Sequence, residues 1–177
     1  MKVILAMVES VDGKTTHGDD PKVFHWTSRE DQQHFKRLVE QAKLIVMGSK
    51  TYEAAKGMLQ HQNGKLRVVL TRSPEKYADQ VIPGQLEFTN EPPQELMARL
   101  EQLGYTELLL ASGAQVNGLF FNAGLVDEIL LTIEPKLLGK GNPIALQENL
   151  IDLTLLKLEK LNDRGTLLLH YKINKSL

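Results

Sequence analysis

Residues 107–141 read ELLLASGAQVNGLFFNAGLVDEILLTIEPKLLGKG, and this stretch limits the fold more than any other. Residues 108–111 form a continuous apolar run of buried-strand length, and Ser112-Gly113 follow as a tight turn. Val116, Leu119, Phe120 and Ala123 then fall at i, i+3, i+4 and i+7, which is helical spacing, and Gly124 stands where a helix C-cap belongs. Residues 128–133 supply a second strand. A strand that feeds a helix through small residues leaves free backbone N–H groups at the helix start, a place that suits phosphate.

The same grammar runs through the rest of the chain. Residues 3–8 are an apolar run closed by Ser10-Val11-Asp12-Gly13, whose Asp-Gly marks a turn. Residues 14–25 are polar and without period, and predict a long ordered loop of the kind that serves as a lid. Ser28, with Asp31 three residues later, predicts a helix start, and Phe35, Leu38, Val39 and Ala42 make one apolar stripe. Residues 43–48 predict a strand and 50–59 a helix with Ser49 as its N-cap. Residues 66–71 predict a buried strand and 86–88 a weak one. Pro92-Pro93 open a helix that ends at Gly104, with Leu96, Leu100 and Leu103 facing inward. Residues 152–160 and 166–173 predict an antiparallel hairpin turned by Asn162-Asp163-Arg164-Gly165.

Strands alternate with helices as far as Glu128, after which strands follow one another. The expected fold is α/β in three layers: a mostly parallel sheet of about eight strands, flanked by about four helices, with a C-terminal antiparallel hairpin. One domain over residues 1–177 is expected from the length.

The chain contains no cysteine, which removes disulfides, thiolate chemistry, Cys-ligated zinc and the zinc deaminase module. Its net charge of -1 gives no basic face for nucleic acid. Five histidines without H-x-H or H-E-x-x-H spacing do not suggest a metal site. No apolar run reaches bilayer length. MKVILAMVESVDG places carboxylates directly after its apolar residues and reads as a first strand, so the expected location is the cytoplasm.

Three strings carry a resemblance: Ser112-Gly113-Ala114, then Gly124-Leu125-Val126-Asp127-Glu128, then Pro135-x-Leu137-Leu138-Gly139-x-Gly141. Their order and spacing resemble the C-terminal half of the dihydrofolate-reductase-like superfamily, above all the pyrimidine reductase group of riboflavin biosynthesis. That group is often fused to a zinc deaminase, and this chain is expected to work unfused. The resemblance implies an NADPH-dependent reductase, a small-molecule substrate and a homodimer.

Three strand-to-helix turns are candidates for the coenzyme: Gly48-Ser49-Lys50-Thr51-Tyr52, Thr71-Arg72-Ser73 and Ser112-Gly113-Ala114-Gln115-Val116, the last preceded by Ala111. None matches G-x-G-x-x-G. By resemblance, Met47-Gly48-x-x-Thr51-Tyr52 is similar to an adenosine-phosphate turn, Leu70-Thr71-Arg72 to a 2′-phosphate strand end, and Ser112-Gly113 to the small pair under a pyrophosphate. Taken alone, Gly48 also suits any strand-to-helix corner, and Lys50 and Arg72 are ordinary solvated cations. As neighbours of the adenosine end they favour NADPH over NADH, since an NAD site would carry a carboxylate for the ribose. Family members often carry Arg after the glycine, where this chain has Ser49. The resemblance also sets the backbone of Met7 and Val8 against the nicotinamide, with Val8 near the substrate, and Thr15 in a mobile loop over it.

On the substrate side, Trp26 to Asp31 to Phe35-Lys36 shows the spacing W-x4-D-x3-F-K, similar to the substrate-facing helix of dihydrofolate reductases. There the acid supports substrate protonation, and Thr132 matches the threonine that hydrogen-bonds it. Asp31 has a second reading as a helix-capping carboxylate with no chemistry. Trp26 and Phe35 are core residues or walls of a flat-ring pocket. The preferred reaction is reduction of the ribosyl group of a phosphoribosylamino-pyrimidine. Dihydrofolate reduction is the alternative, and a non-catalytic NADPH-binding sensor the alternative of another class.

Overall fold

In a computed structural model, which describes residues 1–175, eight strands form one sheet. They are β1 (Lys2–Ser10), β2 (Leu44–Gly48), β3 (Leu66–Leu70), β4 (Leu86–Thr89), β5 (Glu107–Leu110), β6 (Glu128–Glu134), β7 (Leu153–Lys160) and β8 (Leu167–Ile173). Their order is β4-β3-β2-β5-β1-β6-β8-β7. The first six pair in parallel, whereas β8 runs antiparallel to both β6 and β7. Every residue of β2 and β3 is buried, as strands covered on both faces require. The N-terminal apolar run is therefore an inner strand, and the C-terminal hairpin lies where its turn residues predict, with Gly165 at φ 98°.

Four α-helices supply the covers: α1 (Arg29–Gln41), α2 (Ser49–Ala55), α3 (Pro93–Gln102) and α4 (Ala114–Asn122). Leu38 and Val39 of α1 and Tyr52 of α2 pack with Ile45, Met47, Val69 and Leu109 on one face. Leu96 and Leu100 of α3 and Phe120 of α4 pack with Leu5, Val46, Val68 and Leu110 on the other. The consequence is a switch point. β5 sends its connection to the α4 side, while its neighbours β2 and β1 lead to α2 and α1 on the opposite side, which opens a crevice at the carboxyl edge. None of the helices among the described residues is long and apolar enough to cross a membrane.

Behind β1, residues 11–18 are fastened to residues 136–142 along their length. Asp12 accepts the N–H groups of Leu138 and Gly139 at 3.0 and 2.7 Å. The Ser10 hydroxyl, followed by those N–H groups, holds the Asp12 carboxyl down at about 2. Thr15 N–H donates to Asn142 O, Gly18 N–H to Lys140 O, and Asn142 N–H to Thr16 Oγ1. A Cβ on Gly141 would stand 2.0 Å from Thr16 O, so that glycine is what lets the two chains meet. The start of the expected mobile loop is thus a seam, because Val11, Asp12, Thr15, Thr16 and Gly18 each bond the glycine-rich string.

Local expectations fail where backbone geometry overrides the pattern. Gly48, not Ser49, is the N-cap of α2, and its own N–H donates to the Ser112 hydroxyl. The helix ends at Ala55 and continues as a 3₁₀ turn over Lys56–Met58. Leu103 is the C-cap of α3 and 63% exposed, since the chain leaves the helix there before Gly104 turns it at φ 88°. Leu119 is 51% exposed because α4 presents Asn117 and Gly118 inward. Phe35 likewise stands off the core at 40% exposure, while Leu38, Val39 and Ala42 pack against it.

Candidate active site

The carboxyl edge brings the proposed residues into one row. Thr71-Arg72-Ser73 follow β3, Gly48 ends β2, Ala111-Ser112-Gly113 follow β5, Met7 and Val8 lie in β1, and Thr132 lies in β6. These five strands are consecutive, so the row spans four steps of roughly 4.8 Å each, about 19 Å.

At the crevice, Gly48 and Ser112 are locked together. Gly48 N–H donates to Ser112 Oγ at 2.8 Å, and a Cβ on Gly48 would come within 3.0 Å of the Val116 side chain. Gly113 above them is exposed, and a Cβ there would meet nothing within 4 Å. It caps α4 without any side-chain hydrogen bond to the first turn, so the N–H groups of that turn carry no side-chain cap. Asn117, fully buried, holds the turn from behind: its Nδ2 donates to Ser112 O at 3.2 Å and to Ile144 O at 2.7 Å. Leu146 N–H donates to Ala114 O, and a Cβ on Gly118 would lie 2.2 Å from Leu146 O. This corner fits a pyrophosphate, which needs backbone donors and no side chain in the way.

The outlying coenzyme candidates are arranged more loosely. Lys50 and Arg72 are exposed, and neither has a carboxylate within 4 Å among the described residues. Ser49, Thr51, Thr71 and Ser73 are half-buried, and Thr71 Oγ1 accepts the Ser73 N–H. Thr15 is buried, with its hydroxyl donating to Asn142 O and Pro143 O, so it offers a ligand little.

At the other end of the row Asp31 is 6% exposed, deep for a carboxyl in the first turn of a helix. Val8 pairs directly with Thr132, and the Thr132 and Thr27 side chains stand near enough to the Asp31 carboxyl to favour its charged form. Burial pushes Asp31 up to about 6; Thr132 opposes this, the Glu134 charge adds to it, and Thr27 opposes it again. Trp26 is 7% exposed, and its Nε1 has no partner among the described residues, leaving a buried donor beside the site. Phe35, one helical turn beyond Asp31, is open to solvent.

Ser28 Oγ accepts the Asp31 N–H at 3.2 Å, as the capping signature predicts, but the Ser28 N–H donates to Glu134 Oε1 at 2.7 Å. Asp31 is therefore not the reciprocal member of a capping box. Sequence reasoning missed Glu134, although it stands two residues after Thr132 and so on the same strand face. It also missed Asn117, which lies outside the apolar stripe of α4 and left no signal in the periodicity.

A family model described as the RibD C-terminal domain matches residues 1–168. The chain belongs to the RibD C-terminal domain family. The chain is 28% identical over 149 residues to the uncharacterized protein YwjB of Bacillus subtilis (strain 168), covering 81% of this chain and 82% of that protein. A pyrimidine reductase-like protein from Corynebacterium diphtheriae has the same fold, with a TM-score of 0.78 and 15% identity, over 99% of this chain and 92% of that one. RibD of Acinetobacter baumannii also superposes with a TM-score of 0.78, at 18% identity, over 98% of this chain and 58% of that one. The expectation of a riboflavin-type reductase fold therefore holds for this RibD C-terminal domain.

Proposed function

We propose that this domain is an NADPH-dependent reductase acting on a phosphoribosylamino-pyrimidine of the 5-amino-6-(5-phosphoribosylamino)uracil type. One observation carries the reading: a buried Asp31, with the buried Thr132 beside it, lies on the same sheet edge as the open Gly48–Ser112–Gly113 corner. The bound coenzyme supplies the hydride. The chain's own residues then have the remaining tasks. The first turn of α4 holds the pyrophosphate, Lys50 and Arg72 meet the 2′-phosphate, and the backbone of Met7 and Val8 aligns the ring. Asp31, still partly protonated near neutral pH, donates to the substrate atom that gains charge, with Trp26 and Phe35 beside the substrate ring.

A second reading, dihydrofolate reduction, is favoured by the Asp31–Thr132 pairing together with the unpartnered Trp26 Nε1, an arrangement suited to a pterin. Following NADPH oxidation with each substrate separates the two. A thermal shift with NADPH but turnover of neither would leave a binding or sensor protein. A melting curve indifferent to NADPH and NADH would remove the coenzyme.

Arg72→Ala is expected to weaken NADPH binding by about 10- to 100-fold, the range for losing a charged hydrogen bond, and to leave NADH within about 2-fold. Equal losses, measured by titration calorimetry, would mean that Arg72 does not meet the 2′-phosphate.

The domain is further proposed to work as a homodimer joined along β7. Every residue of that edge strand is exposed, including Leu153, Leu155, Leu156 and Leu158 at 41–55%. Such an edge needs a cover. Sedimentation is expected to show a dimer that Leu155→Lys with Leu158→Lys converts to a folded monomer; an unmodified protein that sediments as a monomer at micromolar concentration would refute it.

A further inference from the structure

Glu134 is a carboxylate at the carboxyl end of β6, and it is 1% exposed. A buried charge is costly unless its hydrogen-bonding capacity is met. Here Oε1 accepts the Ser28 N–H at 2.7 Å and Oε2 accepts the Thr166 hydroxyl at 2.9 Å. Both donors are neutral, and no cation lies within 4 Å of it among the described residues.

Ser28 is the N-cap of α1. With an acid three residues later, a helix start of this kind normally closes on itself, the acid accepting the cap residue's N–H. That donor is already occupied from β6.

We propose that Glu134 is a positioning residue for Asp31: by taking the Ser28 N–H it leaves the Asp31 carboxyl to turn inward onto Thr132, where it faces the site instead of capping its own helix. The inference rests on reading Asp31 as the proton-handling group. Its geometry has a second effect. Thr132 and Glu134 face Asp31 from β6, and Thr27 faces it from the segment before α1. Glu134 is the charged member of that set, and it favours the protonated acid. The cations nearby, Arg29, Lys136 and Arg164, line a cavity of about 410 Å³ that Glu134 shares with Ser28 and Thr166.

The test is a titration of the Asp31 carboxyl carbon by NMR, with no substrate present. In Glu134→Gln the side-chain carbonyl still accepts the Ser28 N–H and the amide donates to Thr166, so the fold is kept while the charge is removed. The Asp31 midpoint is expected to fall by about one pH unit. An unchanged midpoint overturns the charge effect of Glu134 on Asp31, since the variant keeps the Ser28 bond. In the unmodified protein the Ser28 amide proton is expected to keep its downfield shift as Asp31 protonates, because its acceptor is Glu134. An amide that loses that shift in step with Asp31 overturns the proposal without any variant. For catalysis, the acid limb of the pH–rate profile should move with the midpoint, and Glu134→Gln should have no further effect on that limb in an Asp31→Asn background. If both NMR results hold but neither substrate is reduced, the positioning stands and the reductase reading falls.

Discussion

Asp31→Asn is expected to lower the rate of NADPH-dependent reduction by about 10²- to 10⁴-fold, the usual worth of a positioned acid, while coenzyme affinity stays unchanged. An asparagine keeps the shape beside Thr132 but has no acidic proton to give. The same variant is expected to be more stable than the parent at neutral pH. Asp31 titrates at about 6 when folded against 3.8 as an ordinary carboxyl, with burial as the main cause. Between those values the native state binds the proton and the unfolded chain does not, so stability falls as pH rises from about 4 to about 6. The contribution lost over that window is on the order of 2–3 kcal/mol, and Asn removes the slope. Urea unfolding of both proteins at pH 4.5 and 7 measures this. An Asn variant that turns over normally, or that is destabilised equally at both pH values, would restore the capping role.

The second large effect lies away from the chemistry. Gly141→Ala is expected to destabilise the fold by about 3 kcal/mol or more, because its Cβ would sit 2.0 Å from Thr16 O and 3.2 Å from Lys14 Cβ. The carbonyl cannot retreat alone, since Thr15 and Gly18 on either side are bonded to Asn142 and Lys140. Gly139→Ala is the control: its φ is 72°, but a Cβ there meets nothing within 4 Å, so only the conformational cost of about 1 kcal/mol applies. Urea midpoints that rank the two variants equally would show that the seam yields.

Periodicity made most of the sheet legible. The runs at β1, β2, β3, β5 and β6 are uninterrupted by charge, apart from Arg67 in β3, and turn residues bound them, so strand positions follow from burial on two faces. The failures share a cause. Leu103 and Leu119 are apolar residues at helical spacing that end up in solvent, because a cap conformation or a close backbone approach decides which way the helix faces. Periodicity counts hydrophobic residues and is blind to Gly118 and Asn117, which make that approach possible. The site was readable only in part for a similar reason. Asp31 and Thr132 were singled out by the resemblance, whereas Glu134 matters through a bond to a residue 106 positions earlier, which no local pattern contains.

Asn117 has a wider meaning than its two bonds. Because one amide group clamps both the corner after β5 and the connection at Ile144, and Leu146 is hung on the first residue of α4, the connection between β6 and β7 is a structural wall of the Gly48–Ser112–Gly113 corner. Changes of length or composition around residues 144–146 should therefore register at the corner on the far side of that wall.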